Sequence, residues 1–441
     1  MRSINIRIIV TFLFYFLTAD FNSASEKKTN QKTTSPKVII ISIDGFIGSY
    51  FDSPEILSLI PNLKKFSERS AFSHHLRTVN PSITYPAHTS MMTGEDPGIH
   101  GIFNNTILDP FEKNEGGWTW YAEDIRVPTL WDLARKKRKR VGNVFWPVTV
   151  GAEIELNLPQ YWRKKIPEDD KLLRAISTKG LHALAEKKVG TSLNDISEDH
   201  IKFETAAWLF ETYRPDLLLV YTTDLDTIHH GYGPFSEKAK EKLKDIDSYF
   251  GSFLTQLRVY ERSDIAVILV SDHGFYSAKF TCAPNVYLLQ KGYIQPESQE
   301  FDFIFKSSGG SAILLPGKRI PTASELNRIR SDISAECPGV IWREDREDLA
   351  VKQQHPEAVA WIFTPEKIYF SGTRKGEIFS EQKSFLHGHG YDNRLPEMET
   401  IGGVYWKGIR DKQAWKMNSV KDVFARARLL LGLQEKKPIQ K

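Results

Sequence analysis

Val38-Ile39-Ile40-Ile41-Ser42-Ile43-Asp44-Gly45 decides the architecture. A continuous β-branched run of this length reads as a strand buried on both faces, the kind found in parallel sheets covered by helices. It ends in Asp44-Gly45-Phe46, and ligands of open α/β sheets gather at the carboxyl ends of strands. Taken alone, an Asp-Gly pair is an ordinary turn. Two more runs repeat the pattern. Leu217–Tyr221 leads into Asp224-Leu225-Asp226, and Ile265–Val270 leads into Ser271-Asp272-His273-Gly274. Val141–Trp146 reads as a further strand. Helical spacing covers Pro54–Ser70, Tyr85–Thr93, Pro128–Arg138, Glu204–Tyr213, Ser236–Leu257 and Val420–Leu433. Strands alternating with helices predict an α/β fold with a mostly parallel central sheet and helices on both faces. The charged stretch 149–200 is less regular, an insertion of the kind that shapes a pocket or lid, and 278–380 holds shorter mixed elements.

The totals set bounds. The 441 residues suffice for one large α/β domain or two smaller ones. Lys plus Arg is 59 and Asp plus Glu is 55, a balance too mild to argue for a nucleic-acid surface. Two cysteines, Cys282 and Cys337, allow one disulfide, which sequence alone does not establish. At the N-terminus Arg2 and Arg7 accompany an apolar run from Ile6 to Ala19, followed by small residues at Ser23, Ala24 and Ser25. That pattern reads as a secretory signal over residues 1–25, too short for a comfortable membrane span, with an uncleaved anchor as the competing reading. Residues 26–36 read as a polar linker, 37–435 as the folded domain and 436–441 as a tail. The expected destination is export, periplasmic or secreted, with no membrane span after cleavage.

Thr84 lies in Asn80-Pro81-Ser82-Ile83-Thr84-Tyr85-Pro86-Ala87-His88, a hydroxyl at the start of a helix. Helix N-termini stabilise developing negative charge, but Ser and Thr are also ordinary caps, and locally the cap reading is favoured. The rest of the chain reverses that preference. Asp44, Asp226 and Asp272 follow three buried strands, His230 and His273 stand beside two of them, and His389 lies in the Gly-rich stretch His387-Gly388-His389-Gly390. Three Asp and three His suit two Zn²⁺ with three protein ligands each. Two such ions carry +4, which three carboxylates and a Thr84 alkoxide neutralise, leaving a centre that accepts a singly charged phosphodiester.

These motifs resemble the nucleotide pyrophosphatase/phosphodiesterase family (type I phosphodiesterases) of the alkaline phosphatase superfamily, over about Lys37 to Leu433. The resembling pieces are Asp44 after the first strand, Thr84-Tyr85-Pro86-Ala87-His88, Asp226 through His230 to Gly233-Pro234, Asp272-His273-Gly274, and His389-Gly390-Tyr391-Asp392-Asn393. The resemblance implies an alkaline-phosphatase-like fold and hydrolysis through a phosphothreonine at Thr84. It implies that Asp44, Asp272, His273 and Thr84 hold one zinc ion, and Asp226, His230 and His389 the other. It implies that Asn105, with Asn104 as local competitor, donates to a non-bridging phosphate oxygen. The chain departs from the family in having Ala87 where Asn is common and His229 where Gly is common. The four-residue spacing from Asp226 favours His230 over His229, and His387 competes with His389. His74, His75, His88, His100, His182, His200 and His355 read as structural or exposed, with His88 and His100 as possible supports of the site.

The expected partner is a small phosphodiester, a nucleotide by preference, with Tyr85 and more weakly Tyr161 stacking on its base against the alternative of plain packing. Lysophospholipid or choline-headgroup diesters are the alternative substrates. A phosphomonoesterase would need further cations, for which Arg163, Lys164 and Lys165 are candidates. A sulfatase is disfavoured because no Cys lies near Thr84, and a non-catalytic binding protein because all seven site residues are present.

Overall fold

The computed structural model describes residues 35–111, 113–114, 117–161, 168–194, 198–344, 349–365 and 367–434. The signal segment, nearly all of the linker, the tail and Arg163–Lys165 lie outside the described residues. From Ser35 onward the chain forms one compact unit.

The opening run forms the strand Lys37–Ile43, and Val38, Ile39, Ile40, Ile41 and Ile43 have no exposed surface. Each such side chain contributes about 1.5–3 kcal/mol through burial. The strand is the middle of a seven-stranded sheet. Across the sheet the order is Ala71–Leu76, Thr400–Trp406, Ile265–Val270, Lys37–Ile43, Leu217–Thr222, Val141–Val144 and Leu156–Leu158. The last five strands of that order are mutually parallel, and Thr400–Trp406 runs antiparallel to both neighbours. The register pairs Ser42 with Tyr221 and with Val270, so the three strands end level and deliver Asp44, Asp226 and Asp272 to one edge. Helices Thr84–Thr93 and Asp422–Leu431 pack together on one face; Asp199–Tyr213, Glu237–Gln256 and Pro61–Arg69 pack together on the other.

A second core lies over shorter strands. Phe303–Ser307, Ser311–Pro316, Ala360–Phe363 and Ile341–Arg343 form one antiparallel sheet; Ile368–Phe370, Tyr276–Cys282 and Phe379–Gly388 form another. A disulfide joins Cys282 to Cys337, closing a 55-residue separation.

Three expectations change. The single helix over Pro54–Ser70 is two helices, Pro54–Leu59 and Pro61–Arg69. Pro61 has no N–H to continue the ladder, and it drives Ile60 out of the helical region, to φ −123° and ψ 57°. The irregular middle stretch contributes the edge strand Leu156–Leu158 and the helices Asp169–Ile176 and Leu181–Val189. Its described part supplies the sheet edge, and Asp199 accepts from the Thr223 and Asp224 N–H groups just past the strand Leu217–Thr222. Residues Asp224–Tyr232, given no element from sequence, are a helix. No helix among the described residues is long and apolar enough to cross a membrane.

Candidate active site

Asp44 follows its strand through a turn that only glycine serves well. Gly45 has φ +68°, and an added Cβ would lie 3.1 Å from the Phe275 ring. The Gly45 N–H donates to Asp272 Oδ1 (3.1 Å) and the Phe46 N–H to Ser271 Oγ (2.9 Å), which ties two strand ends together. The Tyr221 hydroxyl donates to Asp44 Oδ2. Asp44 Oδ1 and Asp272 Oδ2 are thereby the oxygens left to face the centre.

His273 faces the same point. Its Nδ1 donates to the Gly274 carbonyl at 3.1 Å, which leaves Nε2 as the acceptor. That Nε2 lies 3.3 Å from Asp44 Oδ1, 3.2 Å from Asp272 Oδ2 and 3.3 Å from Thr84 Oγ1. One side-chain hydroxyl, two carboxylates and one imidazole therefore converge on a buried spot.

Thr84 is the first residue of the helix Thr84–Thr93, and Ile83 occupies the cap with no side-chain bond to the helix. Capping by Thr84 is thus not what the hydroxyl does; its partner is His273. The next N–H, that of Tyr85, is satisfied by Asn105 Oδ1 at 2.8 Å. With its oxygen engaged in this way, the Asn105 amide has its NH₂ group left as donor. Asn104 spends its NH₂ on Ser307 O and Ser308 Oγ, both at 3.0 Å, holding the loop to the second sheet.

Asp226 and His230 share one face of the helix Asp224–Tyr232, four residues apart. His230 Nδ1 donates to the His387 carbonyl (2.9 Å), and its Nε2 lies 3.5 Å from Asp226 Oδ2. His229 points the other way and is fully buried, its Nε2 against the Tyr50 hydroxyl at 2.7 Å. His389 Nε2 lies 3.8 Å from Asp226 Oδ1, whereas the His387 ring is engaged by Ser277 Oγ at 2.8 Å. The His389 loop is docked beside Thr84: Gly390, at φ +84°, donates to the Ser82 carbonyl (2.9 Å), and Ser82 Oγ donates to Tyr391 O (2.6 Å). The His273 and His389 rings stack at 3.8 Å, bringing the two groups together.

Could these residues hold metal ions? Asp44 Oδ1, Asp226 Oδ1, Asp272 Oδ2 and His389 Nδ1 have no hydrogen-bond partner in the protein. Buried unpaired carboxylate oxygens are costly unless a cation compensates them. Burial, then the neighbouring carboxylates, pushes the Asp44 carboxyl well above its usual range; burial likewise raises Asp226 and Asp272. Burial lowers His273 to about 4 and holds His389 well below its usual value, keeping both rings neutral and able to ligate. The donor set fits divalent cations of the zinc type. Ligand atoms of Asp44, Asp272 and His273 lie within 4.8 Å of one another, and so do those of Asp226, His273 and His389. His273 is therefore in reach of both groups; its 3.2–3.3 Å contacts place it nearer the first.

The remaining expected residues are aromatic. Tyr85 is 2% exposed, its ring edge-on to Trp118 at 5.3 Å, and Tyr161 is 7% exposed against Trp120 at 4.5 Å. As they stand, both rings are packed and neither offers an uncovered face. His88 sits behind the site, bridging Thr84 O (2.8 Å) and Ser42 Oγ (2.9 Å), whereas His100 is bonded to Ser90 Oγ and Ile102 N.

Two contributors escaped sequence reading. Tyr221 holds Asp44, and its signal was a hydroxyl at the end of an otherwise apolar buried strand, which must find a partner. Phe275 packs against four histidine rings, those of His229, His230, His273 and His389, at centroid distances of 5.0, 4.9, 6.0 and 5.4 Å. Nothing local in the sequence set it apart.

Residues 38–392 match the model of the family described as type I phosphodiesterase / nucleotide pyrophosphatase. Ectonucleotide pyrophosphatase/phosphodiesterase family member 3 of Bos taurus is 25% identical over 420 residues, covering 89% of this chain and 42% of the relative. Venom phosphodiesterase 2 of Crotalus adamanteus is 22% identical, covering 85% of this chain and 43% of its own length. The chain thus spans less than half of these relatives. Human ectonucleotide pyrophosphatase / phosphodiesterase 5 has the same fold, with TM-score 0.65 at 17% identity over 91% of this chain and 96% of that one. An inactive variant of the murine protein, 18% identical with TM-score 0.65 and the same coverage, was solved in complex with AMP.

Proposed function

This chain belongs to the type I phosphodiesterase / nucleotide pyrophosphatase family, and from that premise we propose that it is a zinc-dependent enzyme cleaving phosphodiester or pyrophosphate bonds of nucleotides, with Thr84 as nucleophile. The observation that carries this reading is the Thr84 hydroxyl, 3.3 Å from His273 Nε2 among carboxylate oxygens without partners. We assign Asp44, Asp272, His273 and Thr84 to one zinc ion and Asp226, His230 and His389 to a second. When bound, such ions lower the pKa of a coordinated hydroxyl and offset charge on the transferred phosphoryl group.

The chain's own groups do the rest. Thr84 stands at a helix N-terminus, where the backbone dipole favours negative charge on its oxygen. Thr84 Oγ gives its proton to solvent and bonds to phosphorus as the bond to the leaving oxygen breaks. The leaving oxygen keeps the electron pair and takes a proton from solvent. Water then cleaves the Thr84–phosphorus linkage, restoring the hydroxyl, so one water is consumed per bond broken. The Asn105 NH₂ donates to a non-bridging oxygen throughout, held in aim by the bond from the Tyr85 N–H. The fixed tautomers of His273 and His230 keep both Nε2 atoms turned inward. A nucleoside monophosphate is the expected product, in keeping with the AMP complex of the murine protein. Tyr85, whose N–H bonds to Asn105, packs on Trp118, and Tyr161 packs on Trp120; a base would stack on either tyrosine only after its ring is uncovered. Export is part of the proposal, supported by the Cys282–Cys337 disulfide, which persists in oxidising compartments.

The test is zinc-loaded protein on nitrophenyl thymidine monophosphate, dinucleotides, ATP, lysophosphatidylcholine and nitrophenyl phosphate. Nucleotide diesters should be cleaved fastest. Thr84→Ala should abolish cleavage while both zinc ions remain. Undiminished cleavage by Thr84→Ala with zinc retained refutes the nucleophile; faster cleavage of the monoester or the lipid refutes the substrate class.

A further inference from the structure

His74 and His75 are consecutive in the edge strand Ala71–Leu76. In a regular strand, successive side chains point to opposite faces, so adjacent histidines do not share a ligand. This strand is not regular there. Leu76 pairs with Thr400 and Ser73 with Gly402, so His74 and His75 together stand opposite the single residue Ile401. Such a bulge re-aims side chains. It brings the two imidazoles to the same side, with ring centroids 4.3 Å apart.

Carboxylates flank the pair. Asp52 Oδ1 lies 3.2 Å from His74 Nε2, and Glu399 Oε2 lies 2.7 Å from His75 Nδ1. One ligand atom each from Asp52, His74 and His75 falls within 4.8 Å of the others. Each ring can also donate its N–H to its own carboxylate, which is the competing account, but that leaves two carboxylate charges without a cation. A single divalent cation among the four side chains balances Asp52 and Glu399 in charge. Two imidazole nitrogens with carboxylate oxygens suit zinc and its neighbours, and not calcium or magnesium, which take oxygen ligands.

We propose that Asp52, His74 and His75, with Glu399 beside them, form a divalent transition-metal site separate from the site at the strand ends. Its role is structural. Asp52 ends the turn Gly48–Asp52, which continues from the Asp44 loop, and Gly48 N donates to Glu399 O at 2.9 Å. The residues just before Glu399 receive the loop after Asp272: Gly274 N donates to Met398 O (3.2 Å) and Phe275 N to Glu397 O (3.0 Å). A cation here staples the edge strand to both segments. The side chains keep 33–57% of their surface exposed, so water completes the coordination and the ion exchanges more readily than one bound among buried groups.

The experiment compares the full-length wild type with His74→Ala/His75→Ala and, separately, Asp52→Asn, each checked for native circular dichroism. Zinc per chain is counted by elemental analysis at micromolar buffered free zinc, and thermal midpoints are followed as zinc rises. Cu²⁺ spin resonance then reads the ligand nitrogens. The wild type should hold one zinc equivalent more than the double variant, and Asp52→Asn should bind that equivalent at least tenfold more weakly. The copper spectrum of the wild type should carry two imidazole nitrogens more than that of the double variant. Phosphodiesterase rates at saturating zinc should be equal in all three proteins. Equal zinc content in wild type and double variant overturns the proposal. So does an extra equivalent that fills only at millimolar zinc, which would be adventitious ion only. The readout is a difference between proteins, so it stands even if the strand-end site binds no zinc.

Discussion

Tyr221→Phe removes one oxygen from the interior and asks how much of the strand-end site depends on it. The Tyr221 hydroxyl donates to Asp44 Oδ2, and burial beside Asp44 holds its pKa well above the usual tyrosine value, so the donor keeps its proton at any working pH. Phenylalanine keeps the ring, including its edge-on packing with His88 at 4.8 Å. What disappears is a hydrogen bond to a carboxylate, worth about 1.5–3 kcal/mol in a buried setting. After the change both Asp44 oxygens lack a partner, since Oδ1 has none already. The bond is strongest when Asp44 is ionised, which is the form a metal ion requires, so its loss falls mainly on metal binding. At about 1.4 kcal/mol per factor of ten, zinc affinity of the strand-end site should drop by about 10- to 100-fold. The rate at saturating zinc should change far less, because Tyr221 touches neither Thr84 nor Asn105. Competition against a chelating dye gives the affinity, and turnover at buffered free zinc gives the rate. Zinc affinity within twofold of wild type would refute the claim that Tyr221 positions Asp44.

Asn105→Asp keeps the acceptor for the Tyr85 N–H and deletes the donor, so kcat/KM should fall by about 10²–10³, as for loss of an oxyanion donor; a loss under tenfold would sink the phosphate-contact role. His100 is fully buried, accepting from Ile102 N at Nδ1 (3.2 Å) with Ser90 Oγ 3.0 Å from Nε2, and burial pushes its pKa down to about 3. The neutral ring is favoured in the fold. Its stabilisation is complete above about pH 6.5 and is lost as pH falls toward 3, amounting to about 2 kcal/mol at pH 5. Urea unfolding at pH 7 and pH 5 should show a correspondingly smaller acid loss in His100→Gln, and an unchanged loss would count against this. Replacing both Cys282 and Cys337 by Ser opens a 55-residue loop, for which chain entropy gives about 4 kcal/mol; equal unfolding midpoints would show that the bridge contributes nothing.

What sequence reveals here follows how local each cause is. Lys37–Ile43 and Ile265–Val270 are unbroken apolar runs bounded by Asp-containing turns, and they form strands where the pattern places them. The spacing of Asp226 and His230 carries their shared face even though the helix itself went unread. Pro61 was legible by local rules and should have split its helix. Other features depend on partners far along the chain. Tyr221 meets Asp44 across 177 residues because register sets Tyr221 beside Ser42. The second sheet rests on long-range pairing of short strands, which periodicity does not disclose. The packing of Tyr85 on Trp118 and of Tyr161 on Trp120 is likewise tertiary, and a motif cannot tell a covered ring from an open one.

The two proposed ligand groups differ in when the chain can complete them. Asp44, Thr84, Asp272 and His273 all come from the first 273 residues, whereas Asp226 and His230 wait for His389, another 116 positions on (389 − 273). His389 follows a strand of the second layer and reaches its place only when Gly390 and Tyr391 dock on Ser82. A growing or partly translocated chain therefore has no finished pair of sites to offer. Under the proposed export route, paired loading happens after the whole polypeptide has folded on the far side of the membrane, and the zinc supply that matters is the one found there.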